Sequence, residues 1–199
     1  MKITHHTQLL NALIKKYNLK SYLEIGINNP ANNFDKIECE SKQGVDPDYL
    51  GPEIRVAEMG SDDFFKQRSD MWDLIFIDGL HHADQVKRDF ENSLACLNDG
   101  GFIVIHDCLP TDESTTKVPR KTKVWHGDVY NFAMSLSRYN VEYTTYNIDE
   151  GCCVVRKIFK RSTIKKVTDF TWDNFVKNGR KILMDVTELE FHQIDQMYM

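Results

Sequence analysis

The sequence has no apolar run approaching the roughly 20 residues that a membrane span requires. Its first twenty residues, MKITHHTQLLNALIKKYNLK, lack the unbroken apolar core of a signal peptide. A cytoplasmic protein without a membrane span is expected. Proline and glycine are sparse, 5 and 10 of 199 residues, which excludes collagenous and low-complexity chains, and 41% hydrophobic residues are too many for a wholly disordered one. Cysteine is sparse and odd in number. Cys39, Cys96, Cys108, Cys152 and Cys153 show no CxxC spacing, so neither a disulfide framework nor a cysteine zinc site is indicated, and reduced buried thiols are expected at Cys152 and Cys153. There is no basic excess either, with 25 Lys and Arg against 30 Asp and Glu, which argues against a general nucleic-acid binder.

What is present is a repeating alternation of strand-like and helix-like segments. Leu9, Leu10, Leu13 and Ile14 fall on one face of a helix over His6–Tyr17, with Thr7 as its expected N-cap. Short apolar runs at Tyr22–Ile27, Gly44–Asp46, Ile54–Ala57, Trp72–Ile77 and Phe102–Ile105 read as strands, and Ala83–Leu97 carries Val86, Phe90, Leu94 and Leu97 at helical spacing. Such alternation predicts an α/β domain whose mostly parallel sheet is covered on both faces. After Asp107 the pattern changes. Pro110–Lys123 is polar and aperiodic and is expected to be a mobile loop, Trp125–Tyr139 a helix, and Val141–Tyr146 with Cys152–Val155 an antiparallel hairpin. Arg156–Lys166 carries six basic residues and no acid, and Asp169–Met199 reads as two short helices. Residues 1–157 are expected to form the domain, and 158–199 a basic connector with a helical extension.

In an open α/β sheet, ligands bind outside the carboxyl ends of the strands. Those ends are polar: Glu24-Ile25-Gly26-Ile27-Asn28, Val45-Asp46-Pro47, Met59-Gly60-Ser61-Asp62-Asp63, Asp78-Gly79-Leu80-His81-His82 and His106-Asp107-Cys108. The first loop fails the GxGxxG pattern that wraps a pyrophosphate, so a dinucleotide is excluded. Asp46, twenty positions after Gly26, stands where a carboxylate accepts hydrogen bonds from ribose hydroxyls. A nucleoside without a diphosphate fits, and S-adenosylmethionine meets that description. The alternative is that Gly26 makes a tight turn and Asp46 caps one.

At Tyr22–Gly26, Gly44–Pro47, Ser61–Phe65, Phe76–His82, Ile105–Cys108, Gly127–Tyr130 and Asp149–Cys152 the chain resembles the class I S-adenosylmethionine-dependent methyltransferases, and more closely a small group often encoded beside glycosyltransferases. The resemblance implies a doubly wound, Rossmann-like fold in three layers, with a seven-stranded sheet ending in an antiparallel hairpin. It implies O-methylation of a sugar, glycan or other polyol. It also implies that Glu24 and Gly26 meet the methionine part of the cofactor, Asp46 the ribose, and Ser61 with Asp62 the adenine, with Asn28, Asp78 and Gly79 completing the pocket; Ser61 and Asp62 could equally cap the next helix.

Asp78 and Asp107, at the tips of neighbouring strands, can converge on one ion, with His106 as a third ligand, and such oxygen-rich sites favour Mg²⁺ or Mn²⁺. His81 is the candidate general base and Asp78 its catalytic neighbour, since an imidazole has an unperturbed pKa of about 6.5. His81 could instead serve only the start of a helix, and His82 is expected to be structural. The 110–123 loop is a candidate lid, with Trp125, His126 and Tyr130 stacking on a sugar face. The basic run is read as a solvated connector, with phosphate contact as the alternative. Competing functions are a metal-dependent hydrolase or hydroxylase and a non-catalytic cofactor-binding protein. A small-molecule or glycan acceptor and a homo-oligomer are the expected partners.

Overall fold

The computed structural model describes residues 2–51, 55–158 and 165–183. Helix α1 spans His6–Tyr17 and buries Leu9, Leu10, Leu13 and Ile14. Each such side chain contributes about 1.5–3 kcal/mol on burial, so packing rather than intrinsic propensity holds this helix. Its N-cap is His5 and not Thr7: His5 Nδ1 accepts from the Thr7 amide, while the buried Thr7 hydroxyl donates to Asn33 Oδ1 at 2.7 Å.

Strand β1 (Ser21–Ile25) is followed by β2 (Ser41–Val45) and the two-residue β3 (Val56–Ala57). β2 starts earlier than its apolar residues suggest and leaves Asp46 outside, and Ile54 lies outside the described residues. Then come α2 (Ser61–Gln67), β4 (Trp72–Ile77), α3 (Ala83–Ala95) and β5 (Leu97–Ile105). β5 begins at Leu97, because Leu97 already pairs with Trp72. Helix α4 occupies only Val129–Ser135 of the expected Trp125–Tyr139. It cannot start sooner, since Gly127 is left-handed at φ +59°, and Leu136–Arg138 tightens into a 3₁₀ turn. The hairpin is β6 (Val141–Tyr146) and β7 (Cys152–Lys157), and α5 covers Trp172–Ile182. A second tail helix and the middle of the basic run fall outside the described residues.

The seven strands form one sheet in the order β3-β2-β1-β4-β5-β7-β6, parallel except where β7 pairs antiparallel with β5 and β6. This is the Rossmann-like methyltransferase order. Side chains alternate between two cores, as a two-sided sheet requires. Leu23, Ile25, Ile75, Ile77, Ile103 and Ile105 face α2 to α5, while Tyr22, Leu74, Phe76, Phe102 and Val104 face α1. α5 joins the first core through Phe175, and the adjoining Leu183 is fully buried. The five cysteines are free, and Cys108, Cys152 and Cys153 are buried. Among the described residues no helix is long and apolar enough to cross a membrane.

Register positions the site. Ile25 pairs with both Val45 and Ile77, and Ile77 with Ile105, so the residues that follow these strands emerge side by side. Gly26, Asp46, Asp78 and His106 are those residues.

Candidate active site

The first part of the site is a cavity of about 510 Å³ at the switch point between β1 and β4, lined by Gly26, Asn28, Asp46, Ser61, Asp62, Asp78 and Gly79 among others. Its size suits a small cofactor. Gly26 shapes the floor: at φ +90°, a Cβ there would stand 2.2 Å from the Asp78 carbonyl oxygen and 2.4 Å from Gly79 Cα. Only glycine lets the β1 and β4 loops touch. Asp46 is 8% exposed, and each carboxylate oxygen accepts a loop amide, Asn28 N at 2.8 Å and Asp48 N at 2.7 Å. Asp46 thus caps the turn, as the alternative reading expected, and each oxygen keeps a second lone pair.

On the opposite wall, Ser61 opens α2, but the N-cap is Gly60 and no side chain caps that helix. The Ser61 hydroxyl donates to Asp89 at 2.6 Å, Gln85 Nε2 donates to the same carboxylate at 3.0 Å, and Arg88 Nε holds Asp62 at 3.1 Å. Burial raises the pKa of Asp89, whose residue is 1% exposed, against the hydrogen bonds from Ser61 and Gln85. Asp89 and Gln85 line the cavity and escaped the sequence reading. A carboxylate between Val86 and Phe90 on the apolar face of α3 was the available signal.

Glu24 departs from its expected role, because strand alternation turns it away from the cavity and toward α1. There it is 2% exposed and accepts from Tyr22 Oη at 2.6 Å and Asn33 Nδ2 at 2.9 Å. Burial pushes its pKa up to about 8, partly opposed by those hydrogen bonds.

The second part lies at the tips of β4 and β5. Asp78, His81 and Asp107 each bring one ligand atom within 4.8 Å of the others. His81 Nδ1 is 3.0 Å from Asp107 Oδ2 and 3.2 Å from the Trp125 carbonyl, and its Nε2 is 3.5 Å from Asp78 Oδ1. Asp107 reaches this place through a left-handed backbone, φ +58°. His106 meets the same two carboxylates, its Nδ1 3.0 Å from Asp78 Oδ1 and 3.6 Å from Asp107 Oδ1. Its ring turns toward α1, where it meets His6 edge-on at 4.9 Å. Asp78 and Asp107 thus converge with His81 on one side and His106 on the other.

The electrostatics follow from this packing. Burial opposes the Asp78 charge, but the His106 and His81 imidazoles outweigh it and hold the carboxyl well below the usual range. Burial likewise opposes charge on His106, yet Asp78, then Asp107 and Asp149, raise its pKa to about 10. His81 is shifted upward too, as Asp78 and Asp107 overcome its burial. Burial raises Asp107, against the pull of His106 and His81.

Gly127 and Asp128 close the site from α4. Gly127 lies so near the His81 carbonyl that a Cβ could not fit, and Asp128 Oδ1 accepts the Ala83 amide at 2.6 Å, capping α3 from a distant segment. The 110–123 segment is pinned: Glu113–Thr116 forms a 3₁₀ turn, Trp125 Nε1 donates to the Lys117 carbonyl at 2.8 Å, and His126 N to that of Thr115 at 3.0 Å. Of the three expected stacking residues only Trp125 is at the site. It lies parallel to His81 at 5.3 Å, with the Arg120 guanidinium 5.8 Å from its ring, so it props His81. His126 is buried between Thr115 and Glu150, and Tyr130 packs against Trp172 and Phe175.

A family model described as a methyltransferase domain matches residues 7–108, just over half of the chain. The chain belongs to this methyltransferase family. The matched region runs from α1 through the tip of β5 and holds all the cavity residues named above. Solved structures agree in fold. SAH-bound methyltransferase PaMTH1 of Podospora anserina has a TM-score of 0.58 and 15% identity, with 77% of this chain and 78% of that one covered. The O-methyltransferase of Bacillus cereus in complex with SAH has 0.54 and 15%, covering 75% and 79%. TomG of Streptomyces achromogenes, an O-methyltransferase involved in tomaymycin synthesis, in complex with SAM, has 0.55 and 16%, covering 75% and 78%. No curated protein matches the methyltransferase by sequence.

Proposed function

We propose that this methyltransferase transfers a methyl group from S-adenosylmethionine to a hydroxyl of a small polyol, sugar or glycan. The observation that carries the reading is the adjacency of two parts: a nucleoside-sized cavity with a glycine floor and an Asp46 wall, and an imidazole held between two carboxylates at its edge. The cavity fits the cofactor on the chain's own terms, since the space at Gly26 would be filled by any Cβ and Asp46 keeps lone pairs for ribose. Bound there, S-adenosylmethionine supplies an electrophilic methyl group on a positively charged sulfur, a charge that the acidic strand ends favour.

His81 takes the proton of the acceptor hydroxyl as that oxygen becomes the nucleophile. The Trp125 carbonyl, 3.2 Å from Nδ1, takes the Nδ1–H, Asp107 lies 3.0 Å from the same nitrogen and favours the charge that the ring acquires, and Nε2, beside Asp78, is left for the proton. The parallel Trp125 ring keeps the imidazole from tilting. Asp78 and Asp107 are also the donors that would hold Mg²⁺ or Mn²⁺, and such an ion would make a coordinated hydroxyl easier for His81 to deprotonate. A polyol suits the setting better than an aromatic acceptor. Three polar groups converge, and the aromatic ring beside them, Trp125, is already engaged by His81 and Arg120.

The test is mass spectrometry of sugar, nucleotide-sugar and glycan panels incubated with the protein, S-adenosylmethionine and Mg²⁺. A product heavier by one methyl group, lost in His81→Ala, supports the reading. A protein that binds the cofactor yet methylates no hydroxyl, or an undiminished His81→Ala variant, contradicts it.

A further inference from the structure

On the far side of His106 from the cavity lies a second cluster that methyl transfer does not use. Asp149 sits in the β6–β7 turn, where Asp149, Glu150 and Gly151 are all left-handed, at φ +46°, +63° and +93°. This turn brings the Asp149 carboxylate over the start of α1, and Oδ2 accepts the His6 amide at 3.0 Å. Three imidazole nitrogens surround the same oxygen: His6 Nδ1 at 2.5 Å, His5 Nε2 at 3.4 Å and His106 Nε2 at 3.8 Å. The rings pack against one another, His5 on His6 at 4.1 Å and His6 on His106 at 4.9 Å, with Phe76 behind.

Two features separate this cluster from an ordinary set of ion pairs. First, both His6 ring nitrogens and His106 Nε2 are buried without a hydrogen-bond partner, since the short His6 contact lacks hydrogen-bond alignment. A buried unsatisfied group costs about 1–3 kcal/mol, and one ion beside Asp149 would take one nitrogen of His6 and Nε2 of His106. Second, the other nitrogen of His106 is already taken, because Nδ1 faces Asp78 at 3.0 Å. With Nδ1–H donated to that carboxylate, Nε2 faces Asp149 at 3.8 Å, where an entering metal ion would displace the Nε2 proton. The chain carboxylate, imidazole, metal is the arrangement that orients metal-binding histidines.

We infer that His5, His6, His106 and Asp149 form a binding site for a first-row divalent metal ion of the Zn²⁺ type, distinct from the group at Asp78, His81 and Asp107. Zn–N bonds of about 2.0–2.1 Å in tetrahedral geometry set ligands about 3.3 Å apart. The 3.4 and 3.8 Å separations lie near that spacing, and the closer His6–Asp149 pair opens to it when an ion enters. Three imidazoles with one carboxylate select Zn²⁺ or a similar ion over Mg²⁺, which prefers oxygen. His5, 47% exposed at its side chain, provides the way in. Its Nδ1 caps α1 by accepting the Thr7 amide at 3.2 Å and would have to turn its proton to the Thr7 hydroxyl, 3.1 Å away, for Nε2 to take the ion. The ion would tie the start of α1 to the β6–β7 turn and, through His106, hold Asp78 in place.

The experiment uses the full chain stripped of metal with a chelator and then titrated with Zn²⁺ or with Mg²⁺, followed by competition with a chromophoric chelator and by thermal melting. The expected result is saturable Zn²⁺ binding that raises Tm and is not reproduced by Mg²⁺. His6→Ala and Asp149→Asn each weaken it by about tenfold or more, as loss of a ligand should, while Asp107→Asn leaves it in place. If those two variants do not fold, His5→Ala at the exposed ring decides, with an expected fall on the order of tenfold. Overturning results are no Zn²⁺ binding, unchanged affinity in the folded ligand variants, or loss in Asp107→Asn with retention in Asp149→Asn.

Discussion

The cavity at the β1–β4 switch point and the group at Asp78, His81 and Asp107, proposed as the cofactor half and the reacting end of one cleft, are built by different means. The cofactor half takes its floor from residues that directly follow three mutually paired strands: Gly26, Asp46 and Asp78 emerge together because Ile25, Val45 and Ile77 are in register. The reacting end needs segments far apart in the chain. His81 is fixed by Asp107 and by the carbonyl of Trp125, α3 is capped by Asp128, and His106 faces a turn at Asp149. Damage to the first half should therefore abolish binding through backbone geometry, and damage to the second should slow chemistry while leaving binding intact.

The sharpest break is Gly26→Ala. A Cβ 2.2 Å from the Asp78 carbonyl cannot be relieved by a side-chain rotation, so the β1 and β4 loops must part. A loss of a few kcal/mol in stability is expected, with SAH binding abolished by calorimetry. Retained binding would mean that register does not shape the floor.

Next in size is His81→Ala, expected to lower methyl transfer by about 10²–10⁴-fold with SAH affinity little changed. The pH profile carries the sign. His81 must be neutral to act and its pKa lies above 6.5, so the rate should climb with pH through a limb above pH 6.5. Asp107→Asn removes a charge that raises that pKa, and the limb should move to lower pH. An unmoved limb would assign the base elsewhere.

Glu24→Gln should act on stability and leave the cleft alone. Glu24 has a folded pKa of about 8 against an ordinary 4.5, so its contribution is fully present below about pH 4.5 and disappears as pH rises through 8. The wild type should lose on the order of a few kcal/mol across that window, and Glu24→Gln should flatten the loss in thermal melts at pH 5, 7 and 9. A large drop in SAH affinity in this variant would put Glu24 back in the cleft. The smallest effect is expected for Ser61→Ala, which frees one hydrogen bond to Asp89 and should weaken SAH binding by about fivefold, near 1 kcal/mol.

The contrast between the halves also explains what the sequence reveals. Strand ends, the Gly26 turn, the Gly26–Asp46 spacing and the antiparallel hairpin are local or one register step apart, and period and punctuation expose them. Glu24 was misplaced because a one-residue alternation decides which face a strand residue takes, and two apolar neighbours do not declare that face. Adjacency sufficed to group His106 with Asp78 and Asp107, but only the fold shows the other edge of its ring facing His6 and Asp149. Asp128 as a cap and Trp125 as a support depend on contacts more than forty residues apart, which no local pattern encodes.

The most direct test of the cleft itself is calorimetric titration of the wild type and of Asp46→Ala with SAH. One saturable site in the wild type, weakened by about tenfold or more when the Asp46 carboxylate is removed, is the expected result. Equal affinity in the two proteins, or no binding to the wild type, would contradict the placement of a nucleoside cofactor at the β1–β4 switch point.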